Sequence, residues 1–221
     1  MLSLKQIQKD HSLISSLTED EIQKILAKNK GRHFPVVRKL LKQRLNAIKS
    51  DDKVESLILN IEAIFHRVAN VYEQPNTHTI AIRHARSIAN DIHDLPAVFS
   101  GNESARSLAA RKKNPSYVPC KDHFYPRLWS GLQIVDQIYL YRENFKPSLL
   151  AEMLYNFCHV NYVTDEENNH LRQFQTVDSF TTPNKTYKKA NIKLQKVQEY
   201  MGNKTFESAI KILKQKETKH K

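Results

Sequence analysis

Glycine is scarce in this chain, with four in 221 residues. So few disfavour a β-rich fold, whose tight turns consume glycine. Cysteine is scarcer still. Cys120 and Cys158 stand alone, which excludes a disulfide framework and fits a reducing compartment. No apolar run approaches the roughly 18 residues that a membrane span needs. The opening residues Met1-Leu2-Ser3-Leu4-Lys5-Gln6 lack the apolar core of a signal peptide. Carboxylates are outnumbered, 23 Asp and Glu against 35 Lys and Arg. These absences predict a cytoplasmic protein with no membrane partner.

What is present is positive charge and enough apolar residues for a core. The formal net charge is +12 and hydrophobic residues make up 40%, with a pI near 9.6. Such an excess of cations favours polyanionic partners, nucleic acid before any acidic surface. A basic surface can also serve solubility alone. The length allows one large domain or a small domain with a functional module.

Thr18-Glu19-Asp20-Glu21 reads as a capping box, followed by Ile22, Ile25 and Leu26 at helical spacing, with Gly31 ending that helix. A second helix is predicted over 34–49, with Val37, Leu40, Leu41, Leu45 and Ile48 on one face. Arg38, Lys39, Lys42 and Arg44 cover much of the other face and suit a phosphate backbone. The clearest helix is 52–72, with Leu57, Ile61, Ile64, Val68 and Val71 every three or four residues. Another is predicted over 77–99. Residues 100–116 read as a basic linker, with Arg111, Lys112 and Lys113 positioned to drape on nucleic acid. Helices are then expected over 128–141 and 146–157, a short strand over 158–163, and a Thr164-capped helix over 165–174. The C-terminus is helical in bias, and its lysine-rich end is expected to fray.

The window with the most chemistry is Pro119-Cys120-Lys121-Asp122-His123-Phe124-Tyr125-Pro126-Arg127. Hydrolysis of a phosphodiester needs an activated water, a cation to stabilise phosphate charge, and groups to hold the backbone. His123 can act as general base, Asp122 can hold a hard divalent ion, and Arg127 can clamp phosphate. Neighbours on a strand face opposite ways, so the Asp-His pair needs a strand that ends or bends there, which Pro126 permits.

Asp122-His123-Phe124-Tyr125-Pro126 resembles the Asp-His-x-x-Pro signature that opens the HNH, or ββα-metal, nuclease fold. The resemblance implies a second strand, here 158–163, and a following helix, here 165–174. It assigns His123 as general base and Asp122 as metal ligand, with Asn168, Asn169 or His170 completing the ligand set. Mg2+ is the implied cofactor and DNA, over RNA, the implied substrate. Some thirty residues separate the two strands, where the family usually has a short loop, and zinc-knuckle cysteines are absent.

Three rival constellations exist. Arg86, Asn90 and His93 share a helix face, and this resembles the Arg-x(4–6)-His motif of metal-independent HEPN ribonucleases. Cys120, His123, Cys158 and His159 carry zinc-type ligands, but no Cys-x-x-Cys pair exists. Phe124, Tyr125 and Trp129 could stack on bases, although such clusters more often pack a core.

The expected fold is therefore mainly α (α+β). A basic helical nucleic-acid-binding part spans 1–115, an HNH-like module with one strand pair spans 116–200, and a lysine-rich tail spans 201–221. The expected activity is a Mg2+-dependent DNA endonuclease of restriction or phage type, with homodimer formation left open. A non-catalytic nucleic-acid-binding protein and a partner-binding adaptor are the alternatives.

Overall fold

Capping chemistry sets the first elements as the sequence predicts. The computed structural model describes residues 6–7, 10–28, 35–200 and 202–219, and the chain divides into two compact units, Met1–Ser56 and Leu57–Lys221. In the first unit, a 3-10 turn over His11–Ser16 is capped by Asp10, whose Oδ1 accepts from the Ser12 N–H at 2.9 Å. Helix α1 (Glu19–Lys28) opens on the capping box. The Thr18 N–H donates to Glu21 Oε2 at 3.0 Å, and the Glu21 N–H donates to Thr18 Oγ1 at 3.4 Å. Ile22, Ile25, Val37 and Leu41 bury together in one cluster. Gly31 lies outside the described residues.

Helix α2 runs without interruption over Pro35–Val68, which corrects the expectation of separate helices over 34–49 and 52–72. Ser50, Asp51 and Asp52 are only weak helix formers, and neither glycine nor proline stands between 36 and 68 to break the ladder. From Leu57 onward α2 belongs to the second unit.

The second unit is organised on a four-stranded mixed sheet in the order β2–β3–β1–β4. The strands are β1 (Val98–Ser104), β2 (Cys120–His123), β3 (His159–Val163) and β4 (Leu194–Lys196). β1 and β3 are parallel, β2 pairs antiparallel with β3, and β4 pairs antiparallel with β1. Around it lie α3 (His78–Asp94), α4 (Ala105–Lys113), α5 (Arg127–Tyr141), α6 (Pro147–Phe157), α7 (Asp165–Leu171), α8 (Pro183–Lys189) and α9 (Lys204–Lys219). The fold is mainly α with α+β character, and no described helix is long and apolar enough to cross a membrane.

Other stretches also differ from their reading in the sequence: the helix expected over 77–99 ends at Asp94, with Val98 and Phe99 in β1, and β4 lies where a helical bias is expected. Residues 100–116, expected as a linker, contribute strand β1 and helix α4 to one compact unit. Ser, Gly and Asn in 100–104 hide the strand, because β1 carries a bulge where its register with β3 shifts. Gly101 sits there at φ +88, and a side chain would meet the Gln198 carbonyl oxygen at 2.5 Å. α4 then forms because Ser104 Oγ accepts from the Ser107 N–H at 3.0 Å, ahead of an alanine-rich run. The supposed tail contains α9, which buries Phe206, Ala209 and Leu213. Glu217 of α9 caps α6, accepting from the Ser148 N–H at 2.8 Å and Ser148 Oγ at 2.7 Å.

α3 and α5 cross at Gly131 and Ala85. A Cβ on Gly131 would lie 2.3 Å from the Ala85 carbonyl oxygen, so the helices approach closer than any side chain allows. Gly131→Ala gains about 1 kcal/mol in helix propensity, but overpacking against backbone costs about 1–3 kcal/mol. The expected outcome is net destabilisation of up to about 2 kcal/mol, read as a lower urea midpoint with an unchanged m-value. A midpoint equal to or above wild type would contradict this packing.

Candidate functional site

The edge strand β2 brings the central motif to the surface of the second unit. Asp122 pairs across the ladder with Asn161, and His123 with Val160. The strand stops at His123, and Pro126 serves as N-cap of α5, so Arg127 is the first residue of that helix. β3 leads through Thr164 into α7, and this places strand, antiparallel strand and helix in that order.

A cleft of about 800 Å³ lies over this arrangement. β2 supplies Lys121, Asp122 and His123, and the start of α5 supplies Arg127. Asn168, Arg172 and Gln175, spaced by four and three, line it from α7 and the turn that follows. Asn90 and His93 line it from α3. Lys121, Arg127 and Arg172 line it with one carboxylate, so its charge suits an anion such as phosphate.

His123 is held in one tautomer. Its Nδ1 lies 3.3 Å from the Phe157 carbonyl oxygen at the end of α6. A carbonyl only accepts, so Nδ1 carries the hydrogen and Nε2 keeps its lone pair. Burial pulls the imidazole pKa down to about 4, against the Phe157 bond, and the positive charges of Arg127 and His93 add to the fall. The folded state therefore binds fewer protons than the unfolded chain below pH 6.5. This contribution to stability is complete above pH 6.5 and is lost as the pH falls toward about 4.

Asp122 is 3% exposed and is fixed by a buried chain of hydrogen bonds. Gln175 Nε2 donates to Asp122 Oδ1 at 2.9 Å, and the Tyr187 hydroxyl donates to Oδ2. Asn161 Nδ2 donates to Tyr187 Oη at 2.9 Å, and Ser100 Oγ donates to Asn161 Oδ1. Burial pushes the Asp122 carboxyl above its usual range, while its two donors pull it back.

An Mg2+ site in this cleft would be sparse. Each Asp122 oxygen takes one protein donor in this network, and a carboxylate oxygen accepts twice. Asn168 also lines the cleft, and its side chain carries an amide oxygen. Mg2+ uses one or two carboxylates and completes its shell with water and substrate phosphate. Among the described residues no three His, Cys, Asp or Glu side chains cluster, so phosphate and water would carry most of the shell.

The other candidates fall in different places. Asn169 and His170 are exposed and do not line the cleft, and His170 packs edge-on against Phe174. Arg86 is exposed and does not line this cleft, whereas His93 does. Cys158 is buried, with burial pushing its thiol up to about 12, and His159 bonds the Asn156 carbonyl and Tyr200. Neither meets Cys120 and His123 in the cleft. Tyr125 stacks on Trp129 at 5.5 Å, and Trp129 meets Phe180 edge-on at 5.1 Å, which is core packing.

Among the surface cations, Arg111 forms an ion pair at 3.2 Å with Glu103, a fully buried carboxylate. Lys112 and Lys113 are exposed at the end of α4. Lys39 and Lys42 are exposed and Arg44 is half-buried on α2 within the first unit, while the Arg38 side chain lies outside what is described. Lys121, Arg172, Gln175 and Tyr187 were not singled out from the sequence. The four-three spacing of Asn168, Arg172 and Gln175 is the signal that could have found two of them. Tyr187 had none. Comparison with family models, curated proteins and solved structures gave no match.

Proposed function

We propose that this cleft is the centre of a Mg2+-dependent endonuclease that hydrolyses DNA phosphodiesters, similar in plan to HNH nucleases. The observation that carries the reading is the meeting of Asp122 and His123 from β2 with Asn168 from α7 in one cationic cleft. Asp122 and Asn168 would hold the ion, which when bound supplies charge stabilisation to the phosphate. His123 Nε2 accepts a proton from the attacking water. Arg127 and Arg172 bind the phosphate oxygens, and the first turn of α5 orients them. The buried bonds from Tyr187 and Gln175 keep the Asp122 carboxylate in one direction.

Supercoiled plasmid tests this reading. With Mg2+ the protein is expected to nick and linearise it, EDTA to stop the reaction, and renewed Mg2+ to restart it. Intact plasmid after long incubation with Mg2+ overturns the nuclease, and cleavage that persists in EDTA overturns the ion.

A further inference from the structure

In-line displacement at phosphorus puts the attacking water and the leaving oxygen on opposite sides of the phosphate. One imidazole cannot take a proton at one end and deliver a proton at the other in the same step. The cleft contains a second imidazole. His93 stands near the C-terminal end of α3, a different wall from the β2 edge that bears His123, and both line the same cavity.

His93 is exposed, and its ring makes no hydrogen bond to another described residue. That sets it apart from the other imidazoles beside the sheet, since His123 is tied to Phe157 and His159 to Asn156 and Tyr200. Both ring nitrogens are therefore free to meet a ligand. The remaining cations of the cleft are less suited to proton delivery. Arg127 and Arg172 do not deprotonate in proteins, and Lys121 is carried on the same strand as the base. Neither the HNH-like nor the HEPN-like pattern in the sequence pairs these two histidines; the fold does.

From this geometry we infer that His93 is the general acid of the reaction and protonates the leaving oxygen as the P–O bond breaks. The inference rests on the cleft being a phosphodiesterase. The water oxygen bonds to phosphorus and its proton passes to His123 Nε2. The P–O bond to the leaving group breaks with its electron pair on that oxygen, which takes the proton of His93. The products are a phosphomonoester and an alcohol. His123 then releases its proton to solvent and His93 regains one.

The experiment compares two substrates. Plasmid has an alkoxide leaving group that needs a proton, whereas bis(4-nitrophenyl) phosphate loses nitrophenolate, which needs none. Wild type, His93→Gln and His123→Gln are assayed with Mg2+ on both. Circular dichroism confirms folding, and duplex affinity is measured in chelator. His93→Gln is expected to slow plasmid cleavage by about 10²-fold or more while keeping near-wild-type rates on the nitrophenyl ester and unchanged duplex affinity. His123→Gln should lose both activities.

Equal losses of His93→Gln on the two substrates, no loss on plasmid, or a matching fall in duplex affinity would overturn the acid role while leaving the nuclease standing. Wild-type protein inactive on both substrates removes the nuclease and the acid together.

Discussion

Replacing His123 with alanine is expected to slow Mg2+-dependent plasmid cleavage by about 10²–10⁴-fold, the range over which a positioned general base acts. His123 is only half-buried, at the end of an edge strand, and its removal leaves the Phe157 carbonyl beside an open cleft where water can reach it. Folding should therefore survive. Duplex binding should survive as well, because Lys121, Arg127 and Arg172 remain. The check is a single-turnover rate beside a binding isotherm. A variant that binds and still cleaves within a few-fold of wild type contradicts the role of His123. One that loses binding and cleavage together assigns the residue to structure.

The second large effect concerns stability. Glu167 is 5% exposed and ties together the ends of both parallel strands. Its Oε2 accepts from the Thr164 N–H at 3.0 Å and also from Ser104 Oγ. Thr164 follows β3 and caps α7, while Ser104 ends β1 and caps α4. Glu167→Ala removes half of a capping box and leaves a buried hydroxyl and a buried N–H without an acceptor. The expected cost is about 2–4 kcal/mol. Glu167→Gln keeps an oxygen in place and should cost much less. Urea unfolding of the two variants distinguishes them, and equal midpoints would show that the shared acceptor does not matter.

Much of the site was legible because its signals are local. Asp122-His123-x-x-Pro126 marks a strand end by its proline, and 158–163 alternates as a strand does. Thr164 followed by Glu167 marks a helix start, and His159–Val163 and Asp165–Leu171 appear where expected. The choice among Asn168, Asn169 and His170 was not legible, since it depends on which helix face the sheet covers. Of the three, Asn168 lines the cleft. The 100–116 stretch misled because glycine in a bulged strand and glycine in a loop look alike in sequence. Tyr187 was hidden for a different reason. Its role comes from a hydroxyl meeting a carboxylate 65 positions earlier, and no local pattern encodes such a meeting.

The carboxylate of Asp122 is aimed only when segments around residues 100, 161 and 187 have all assembled about it. A polypeptide still emerging from the ribosome, with residue 187 not yet made, has both the acid and the imidazole of the motif but lacks the phenol that orients the former. The direction of that carboxylate is thus a property of the assembled second unit, and no fragment that stops short of residue 187 can reproduce it.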